Sequence, residues 1–212
     1  MLVKHAVVFV AGLGSRLRPW TLATPKPLLN HQGQPLLSYT LQAAANNGVT
    51  DLWLNPGYLG QQIKDYCGDG DQWGLSIHYH DEPADNLLET GGTLTQLSSL
   101  IQERFWIISG DVFFEWPSLP QHHGDHIWLH QHQHHDFSIN HHQHLSLEQP
   151  NLTYTGIGIL SPKTVNTFRH RTLGGLLKNA IEGGHIIHAS LLQGSWHNFN
   201  TINDFLAYDE CL

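Results

Sequence analysis

The chain of 212 residues is long enough for one packed core, and its hydrophobic content of 40% excludes a disordered chain. The formal net charge of -8 excludes broad electrostatic attraction to nucleic acid or to an anionic membrane, because both require an excess of Lys and Arg. Two cysteines without metal-ligand or redox spacing, and an N-terminus without a secretory apolar segment, indicate a cytoplasmic protein.

In the first half, short apolar runs alternate with helix-like patterns. The patterns predict strands at residues 6–10, 51–55, 75–79 and 105–108, and helices at residues 35–47, 59–66 and 91–100. Strands that alternate with helices form parallel sheets, because each crossover helix returns the chain to the same end of the sheet. This half is therefore predicted to be doubly wound, with ligands at the carboxyl ends of its strands.

The second half is less regular and predicts mixed topology. Residues 127–132 and 137–141 are expected to form an antiparallel hairpin, followed by a strand at 154–160. Helices are predicted at 162–168 and 173–182, strands at 186–190 and near Trp196, and a terminal helix from Asn203. The fold class is thus α/β, a single Rossmann-like domain with a mixed, mostly parallel central sheet flanked by helices.

Histidine is concentrated in one segment, since ten of the 18 histidines lie in residues 122–144. Such tracts can bind metal, because neutral imidazole is a common metal ligand. The alternation within the segment favours imidazoles spread along the solvated face of a hairpin. Both interpretations stay open at this point.

A glycine-rich turn with nearby cations, residues 11–19 (AGLGSRLRP), follows the first predicted strand. Backbone amides without side chains can approach a phosphate closely. Leu17 stands where a dinucleotide fingerprint needs glycine, and a P-loop would need Lys-Ser or Lys-Thr after its last glycine. Instead, Arg16, Arg18 and Lys26 place three cations near one strand end, which favours a triphosphate site over a solvated surface turn.

Six motifs together resemble the sugar-phosphate nucleotidyltransferases over nearly the whole chain. They are residues 11–19 (AGLGSRLRP), 24–28 (TPKPL), 59–63 (LGQQI), 88–92 (LETGG), 110–112 (GDV) and 154–158 (YTGIG). Within that family, the bacterial N-acetylmuramate α-1-phosphate uridylyltransferases are the most similar group. The resemblance implies a GT-A-like fold and a reaction in which UTP and N-acetylmuramate α-1-phosphate give a nucleotide sugar and pyrophosphate, in cell-wall sugar recycling.

The resemblance also implies roles for individual residues. The nucleotide would bind in the half formed by residues 1–115, through Ala11, Gly12, Gly14, Arg16, Lys26, Glu89 and Gly91. The sugar phosphate would bind mainly in the half formed by residues 116–212, and the candidate sugar contacts are Asn55, Glu148 and Gly156. Arg16, Lys26 and Asp111 would be catalytic, with Asp111 and Asn198 holding Mg²⁺, or Mn²⁺ in its place. A monomer is expected.

One departure from the family pattern opens a second interpretation. Relatives carry a late Trp-x-Asp-x-Gly-Thr pattern, which aligns with residues 196–201 (WHNFNT). Asn198 replaces the second metal-binding Asp without supplying negative charge, and Asn200 replaces the glycine. A catalytically impaired protein that still binds nucleotide and sugar phosphate is therefore the alternative to a working transferase.

Overall fold

The central sheet begins with the first apolar run of the sequence. In the computed structural model, which describes residues 2–83 and 88–209, this run forms strand β1 (His5–Phe9). Ala6, Val7 and Val8 are completely buried, because both faces of the strand are covered by helices.

The remaining elements of the first half follow in chain order. The strands are β2 (Asn30–His31), β3 (Gln34–Pro35), β4 (Asp51–Leu54), β5 (Ser76–Tyr79), β6 (Phe105–Ser109) and β7 (Val112–Phe114). The α-helices are α1 (Leu36–Asn46), α2 (Gly60–Cys67) and α3 (Glu89–Leu97). Short 3-10 helices lie at Ser15–Leu17, Trp20–Leu22, Lys26–Leu28 and Asp71–Trp73.

Within the described residues, the second half contributes six strands and three helices. The strands are β8 (His126–His130), β9 (Ser138–Ile139), β10 (Leu145–Ser146), β11 (Thr153–Leu160), β12 (His188–Leu191) and β13 (Trp196–Asn198). The helices are α4 (Pro162–Thr167), α5 (Leu173–Glu182) and α6 (Ile202–Asp209). None of the helices in residues 2–83 and 88–209 has the length and apolar character needed to cross a membrane.

Seven strands form the main sheet in the order β12-β8-β11-β6-β1-β4-β5. Strand β1 is parallel to β4 and to β6, β4 is parallel to β5, and β12 is parallel to β8. Strand β11 is antiparallel to both of its neighbours, β6 and β8. The sheet is thus mixed and mostly parallel, which confirms the predicted fold class.

Two cores lie on opposite faces of this sheet. Alternate side chains of β1 point to opposite faces, so Ala6 and Val8 pack with Leu37 and Leu41 of α1. Val7 packs in the other core with Leu94 of α3 and with α5. This doubly wound arrangement leaves the carboxyl ends of β1, β4 and β6 open at one edge.

The predicted antiparallel hairpin between residues 127–132 and 137–141 is wrong. Strand β8 pairs with β11 and β12 in the main sheet, whereas β9 pairs with β10 in a separate two-stranded sheet. The physical reason is burial, because residues 126–129 are all buried and a fully buried strand is stable only inside a covered sheet.

Candidate active site

A cavity of about 430 Å³ lies at the carboxyl ends of β1, β4 and β6. Most of its lining belongs to segments that directly follow these strands, to the turn at residue 26 and to the start of α3. Six of the site residues named from the sequence line this cavity: Ala11, Gly12, Lys26, Asn55, Glu89 and Asp111. Residues far apart in the chain therefore meet where an open α/β sheet binds its ligands.

A buried hydrogen-bond network forms the floor of the cavity. The Asn55 side chain accepts a bond from the Val10 backbone N–H at 2.7 Å and donates to Glu82 Oε1 at 2.9 Å. Thr93 of α3 also donates its hydroxyl to Glu82 Oε1, and the Leu88 N–H donates to Glu82 Oε2 at 2.9 Å. The Glu82 carboxylate thus joins the ends of β1 and β4 to the beginning of α3.

The glycine loop turns sharply because Gly14 adopts a left-handed conformation with φ of 60°. A Cβ atom at Gly14 would lie 2.8 Å from Thr21 Cγ2, so both the backbone angle and the available space require glycine. The turn precedes the 3-10 helix that carries Arg16. A second cavity of about 190 Å³ opens here, and it shares Gly12, Lys26 and Asp111 with the first.

Lys26 lies at the junction of these two cavities. Its side chain is only 10% exposed, and Nζ donates to Asp111 Oδ2 at 2.6 Å and to Asn200 Oδ1 at 3.1 Å. Arg16 Nη2 donates to the same Asn200 oxygen at 2.8 Å. The Asp111 carboxylate balances the buried ammonium charge, because a charge removed from water needs a partner.

The pairing of β7 with β13 places the backbones at Asp111 and Asn198 next to each other. Asn198 lies opposite Val112, and the Phe199 N–H donates to the Asp111 carbonyl oxygen at 3.1 Å. The buried Asn198 Oδ1 has no hydrogen-bond partner among the described residues. No group of three His, Cys, Asp or Glu side chains that could hold a metal occurs in residues 2–83 and 88–209.

This donor set nevertheless fits Mg²⁺, because that ion commonly takes one or two protein oxygens and completes its shell with phosphate and water. A buried acceptor without a hydrogen-bond partner is costly, so the Asn198 Oδ1 atom could serve as one cation ligand. Asp111 could supply a carboxylate oxygen.

The start of α3 combines one cavity residue with one packing residue. Glu89 lines the 430 Å³ cavity, and its carboxylate contacts Arg171 Nη2 at 3.1 Å. Gly91 instead packs against the segment before α5, where a Cβ atom would lie 2.2 Å from the His170 carbonyl oxygen. The glycine is therefore required by close backbone approach, whatever its role toward a nucleotide.

The three sugar-contact candidates do not converge. Asn55 belongs to the buried floor of the first cavity. Gly156, with φ of 85°, lies at the register shift of β11, where a Cβ atom would come within 2.8 Å of Ser109 Oγ. Glu148 is exposed, and it does not line the cavities described above. Their sugar contacts stay predictions.

A third cavity, of about 680 Å³, adjoins the second. The two share Arg16 and Asn200, and the larger one continues past Asn198 to His132 and Trp196. His130 and His132 both make ring contacts with Trp196, at centroid distances of 5.3 Å and 5.5 Å. Three contiguous cavities thus run from the strand ends, across the cations, to a histidine-rich and aromatic surface.

The other histidines of the rich segment divide between core and surface. His126 is buried, and its Nδ1 lies 3.0 Å from His122 Nε2. His188 stacks on His122 at a ring-centroid distance of 3.7 Å. Burial, and then the neighbouring His122 and His188, lower the pKa of His126 to about 4. The prediction of a solvated hairpin face fails for this residue, because β8 lies inside the sheet.

Two important site residues lack a strong sequence signal. Glu82 lies in an irregular segment after β5, and nothing in its neighbours indicates that the fold buries it. In the sequence, Asn200 is only a departure from the family pattern, whereas in the structure it contacts both Arg16 and Lys26. Both roles depend on residues distant in the sequence, so local patterns could not reveal them.

Comparison with known proteins gives a consistent result. The family model described as nucleotidyl transferase matches residues 5–140. The N-acetylmuramate α-1-phosphate uridylyltransferase of Neisseria meningitidis serogroup B is 36% identical over 174 residues, which cover 74% of this chain and 75% of that protein. The mannose-1-phosphate guanylyltransferase of Mycobacterium tuberculosis is 36% identical over 108 residues, 50% of this chain but 30% of that protein.

The fold has equally clear neighbours among solved structures. A putative glucose-1-phosphate thymidylyltransferase from Bacillus anthracis superposes with a TM-score of 0.82 at 16% sequence identity. The superposition covers 99% of this chain and 94% of the other. At this level of sequence identity, the similarity shows only a shared fold. That shared fold covers 99% of this chain.

Proposed function

The chain belongs to the nucleotidyl transferase family and is a sugar-phosphate nucleotidyltransferase, and we propose that it transfers UMP from UTP to a sugar 1-phosphate, releasing pyrophosphate. The relative from Neisseria meningitidis supports this choice of nucleotide and favours N-acetylmuramate α-1-phosphate as acceptor. We place the reaction in cell-wall sugar recycling in the cytoplasm, carried out by a monomer.

The main support for this proposal is that the three cavities adjoin one another. The nucleoside occupies the 430 Å³ cavity, the phosphates occupy the cavity beside Arg16 and Lys26, and the sugar phosphate occupies the 680 Å³ cavity. Residues 1–115 therefore supply most of the nucleotide site, and residues 116–212 most of the acceptor site. Asn200 and Thr172 are exceptions, since they reach the nucleotide side from the second half.

The chemistry needs alignment and charge stabilisation more than proton transfer. A phosphate oxygen of the sugar 1-phosphate attacks the α-phosphorus of UTP. The new P–O bond forms as the bond to the oxygen bridging the α- and β-phosphates breaks, and the electron pair leaves with pyrophosphate. Arg16 and Lys26 stabilise the charge that develops on the leaving group, and the glycine loop holds the phosphates in line.

Asp111 and Asn198 would hold the divalent cation. When bound, Mg²⁺ neutralises phosphate charge at the reacting α-phosphate. Asp111 also contacts Lys26, so it orients the ammonium toward the phosphates while contributing a carboxylate oxygen. With one carboxylate instead of two, the site binds the cation more weakly, so a higher Mg²⁺ concentration is expected for half-maximal rate.

The test is pyrophosphate release with each nucleoside triphosphate and a series of sugar 1-phosphates. We expect turnover with UTP and N-acetylmuramate α-1-phosphate. Removing one preorganised hydrogen-bond donor that stabilises developing charge lowers kcat by about 10²- to 10³-fold. Arg16→Ala and Lys26→Met should therefore each lose activity on this scale. Lys163→Met, on an exposed part of α4, is the matched control. An unchanged rate in Arg16→Ala would remove its assigned role.

Asn198→Asp separates a working transferase from an impaired binding protein. In a working enzyme, this substitution lowers the Mg²⁺ concentration needed for half-maximal rate, because a carboxylate attracts the cation more strongly than an amide oxygen. If only Asn198→Asp is active, the result would instead support the alternative that the native chain is a catalytically impaired binding protein. Titration of the pyrophosphate release rate with Mg²⁺ and with Mn²⁺ measures the difference.

A further inference from the structure

The Asn200 side chain joins the two cations of the phosphate cavity. Its Oδ1 atom accepts hydrogen bonds from Arg16 Nη2 at 2.8 Å and from Lys26 Nζ at 3.1 Å. The two donors lie 184 and 174 residues away in the chain. One neutral oxygen is therefore the shared acceptor of two positive side chains.

The backbone around Asn200 is held in place by α6. The Asn200 N–H and the Thr201 N–H both donate to Asp204 Oδ2, at 2.8 Å and 2.7 Å. The Asp204 N–H donates in turn to Thr201 Oγ1 at 3.3 Å. The acceptor oxygen is thus presented from a fixed turn rather than from a loose loop.

The shared acceptor holds Arg16 and Lys26 close together. Because both nitrogens contact one atom, they are at most about 6 Å apart, a distance at which like charges repel. The amide oxygen offsets this repulsion and restricts two long side chains to one arrangement. A guanidinium has five N–H donors and an ammonium three, so donors remain free for phosphate oxygens.

The neutrality of the amide matters as much as its position. A carboxylate at residue 200 would form ion pairs with Arg16 and Lys26 and would repel a phosphate. A glycine would leave both cations without this acceptor. Asn200 accepts hydrogen bonds from both cations without neutralising their positive charge.

We propose that Asn200 is a positioning residue that preorganises Arg16 and Lys26 for the pyrophosphate part of the nucleotide. The inference rests on the proposed function, because it concerns the leaving group of that reaction. Preorganisation removes the need to order two flexible cations during the chemical step, so the effect appears in kcat more than in substrate binding.

The decisive variants are Asn200→Ala, which removes the acceptor, and Asn200→Asp, which keeps its shape and adds charge. Misplacement of catalytic groups is expected to lower kcat of Asn200→Ala by about 10- to 100-fold, while the KM for UTP changes less than about threefold. In the Arg16→Ala background, the loss caused by Asn200→Ala should shrink, because the two residues act as a unit. Asn203→Ala, on the exposed side of α6, is the control.

A binding measurement keeps the inference independent of turnover. Calorimetry with inorganic pyrophosphate, without divalent metal, should show at least about tenfold weaker binding to Asn200→Asp than to the native chain, because the carboxylate competes for both cations. Thermal unfolding of each variant checks that the fold is kept. If Asn200→Ala does not fold, the pyrophosphate measurement on Asn200→Asp still tests the inference.

The outcomes separate this inference from the proposed function. If the native chain binds pyrophosphate and Asn200→Asp binds it equally well, the role of Asn200 is overturned while the phosphate site stands. Tighter pyrophosphate binding with native turnover in Asn200→Ala also overturns it, since the amide would then compete with phosphate. If the native chain binds neither pyrophosphate nor UTP, both proposals fail.

Discussion

The buried carboxylate of Glu82 offers a sharp test of how the site is held together. Its side chain accepts hydrogen bonds from Asn55, Thr93 and the Leu88 N–H, and the residue is 4% exposed. Glu82→Gln preserves size but replaces one acceptor oxygen by an NH₂ group. Whichever way the amide is oriented, at least one buried donor then faces another donor.

The expected cost follows from these contacts. A hydrogen bond to a charged group contributes about 1.5 to 3 kcal/mol, and the bonds that remain change from charged to neutral. We therefore expect Glu82→Gln to lower the free energy of unfolding by about 3 kcal/mol. For a domain of this size, that corresponds to a fall in Tm of roughly 6 to 12 °C.

Urea unfolding followed by circular dichroism measures the free energy, and thermal unfolding measures the Tm. The control is Glu103→Gln, at an exposed position where the same chemical change should cost less than about 0.5 kcal/mol. If Glu82→Gln is as stable as Glu103→Gln, the carboxylate does not hold β1, β4 and α3 together, and the reasoning is refuted.

Two further predictions concern packing and pH. Gly91→Ala should lower the free energy of unfolding by about 1 to 3 kcal/mol, because its Cβ would overlap the His170 carbonyl oxygen. Gly174→Ala, in α5 with no atom within 4 Å of the new Cβ, should instead raise it by about 0.5 to 1 kcal/mol, and equal effects in chemical denaturation would contradict the packing argument. Burial, with His122 and His188, lowers the pKa of His126 from 6.5 to about 4, so the unfolded chain binds more protons and stability should fall as pH drops from 6.5 toward 4. His126→Gln should lessen that fall in a series of Tm measurements against pH, whereas a substitution at the exposed His135 should not.

Local sequence patterns were sufficient for the longer strands and the α-helices of the first half, but they did not indicate the short strands β2, β3 and β7. Strand β1 is a continuous apolar run, and helix α1 shows helical spacing of apolar residues before Asn47 and Gly48. The glycine loop and Arg16 follow β1 directly, so a phosphate site at that strand end could be proposed from the sequence alone. In each case the information lies within a few residues along the chain.

Strand pairing in the second half could not be read in this way. The segment at 127–132 suits one strand of a hairpin, yet β8 (His126–His130) pairs with β11 and β12 inside the sheet. Partner choice is decided by burial over the whole domain, because either pairing satisfies the same backbone hydrogen bonds.

What the sequence by itself determined is the family and the α/β class, and it also located the glycine loop with its cations that we propose binds phosphate. Only the tertiary structure decided which side chains contact those cations and what holds the cavity floor. Lys26 meets Asp111 across 85 residues, and Arg16 meets Asn200 across 184. Such contacts depend on sheet order and on burial, which are set by the packing of all elements together and by no single segment.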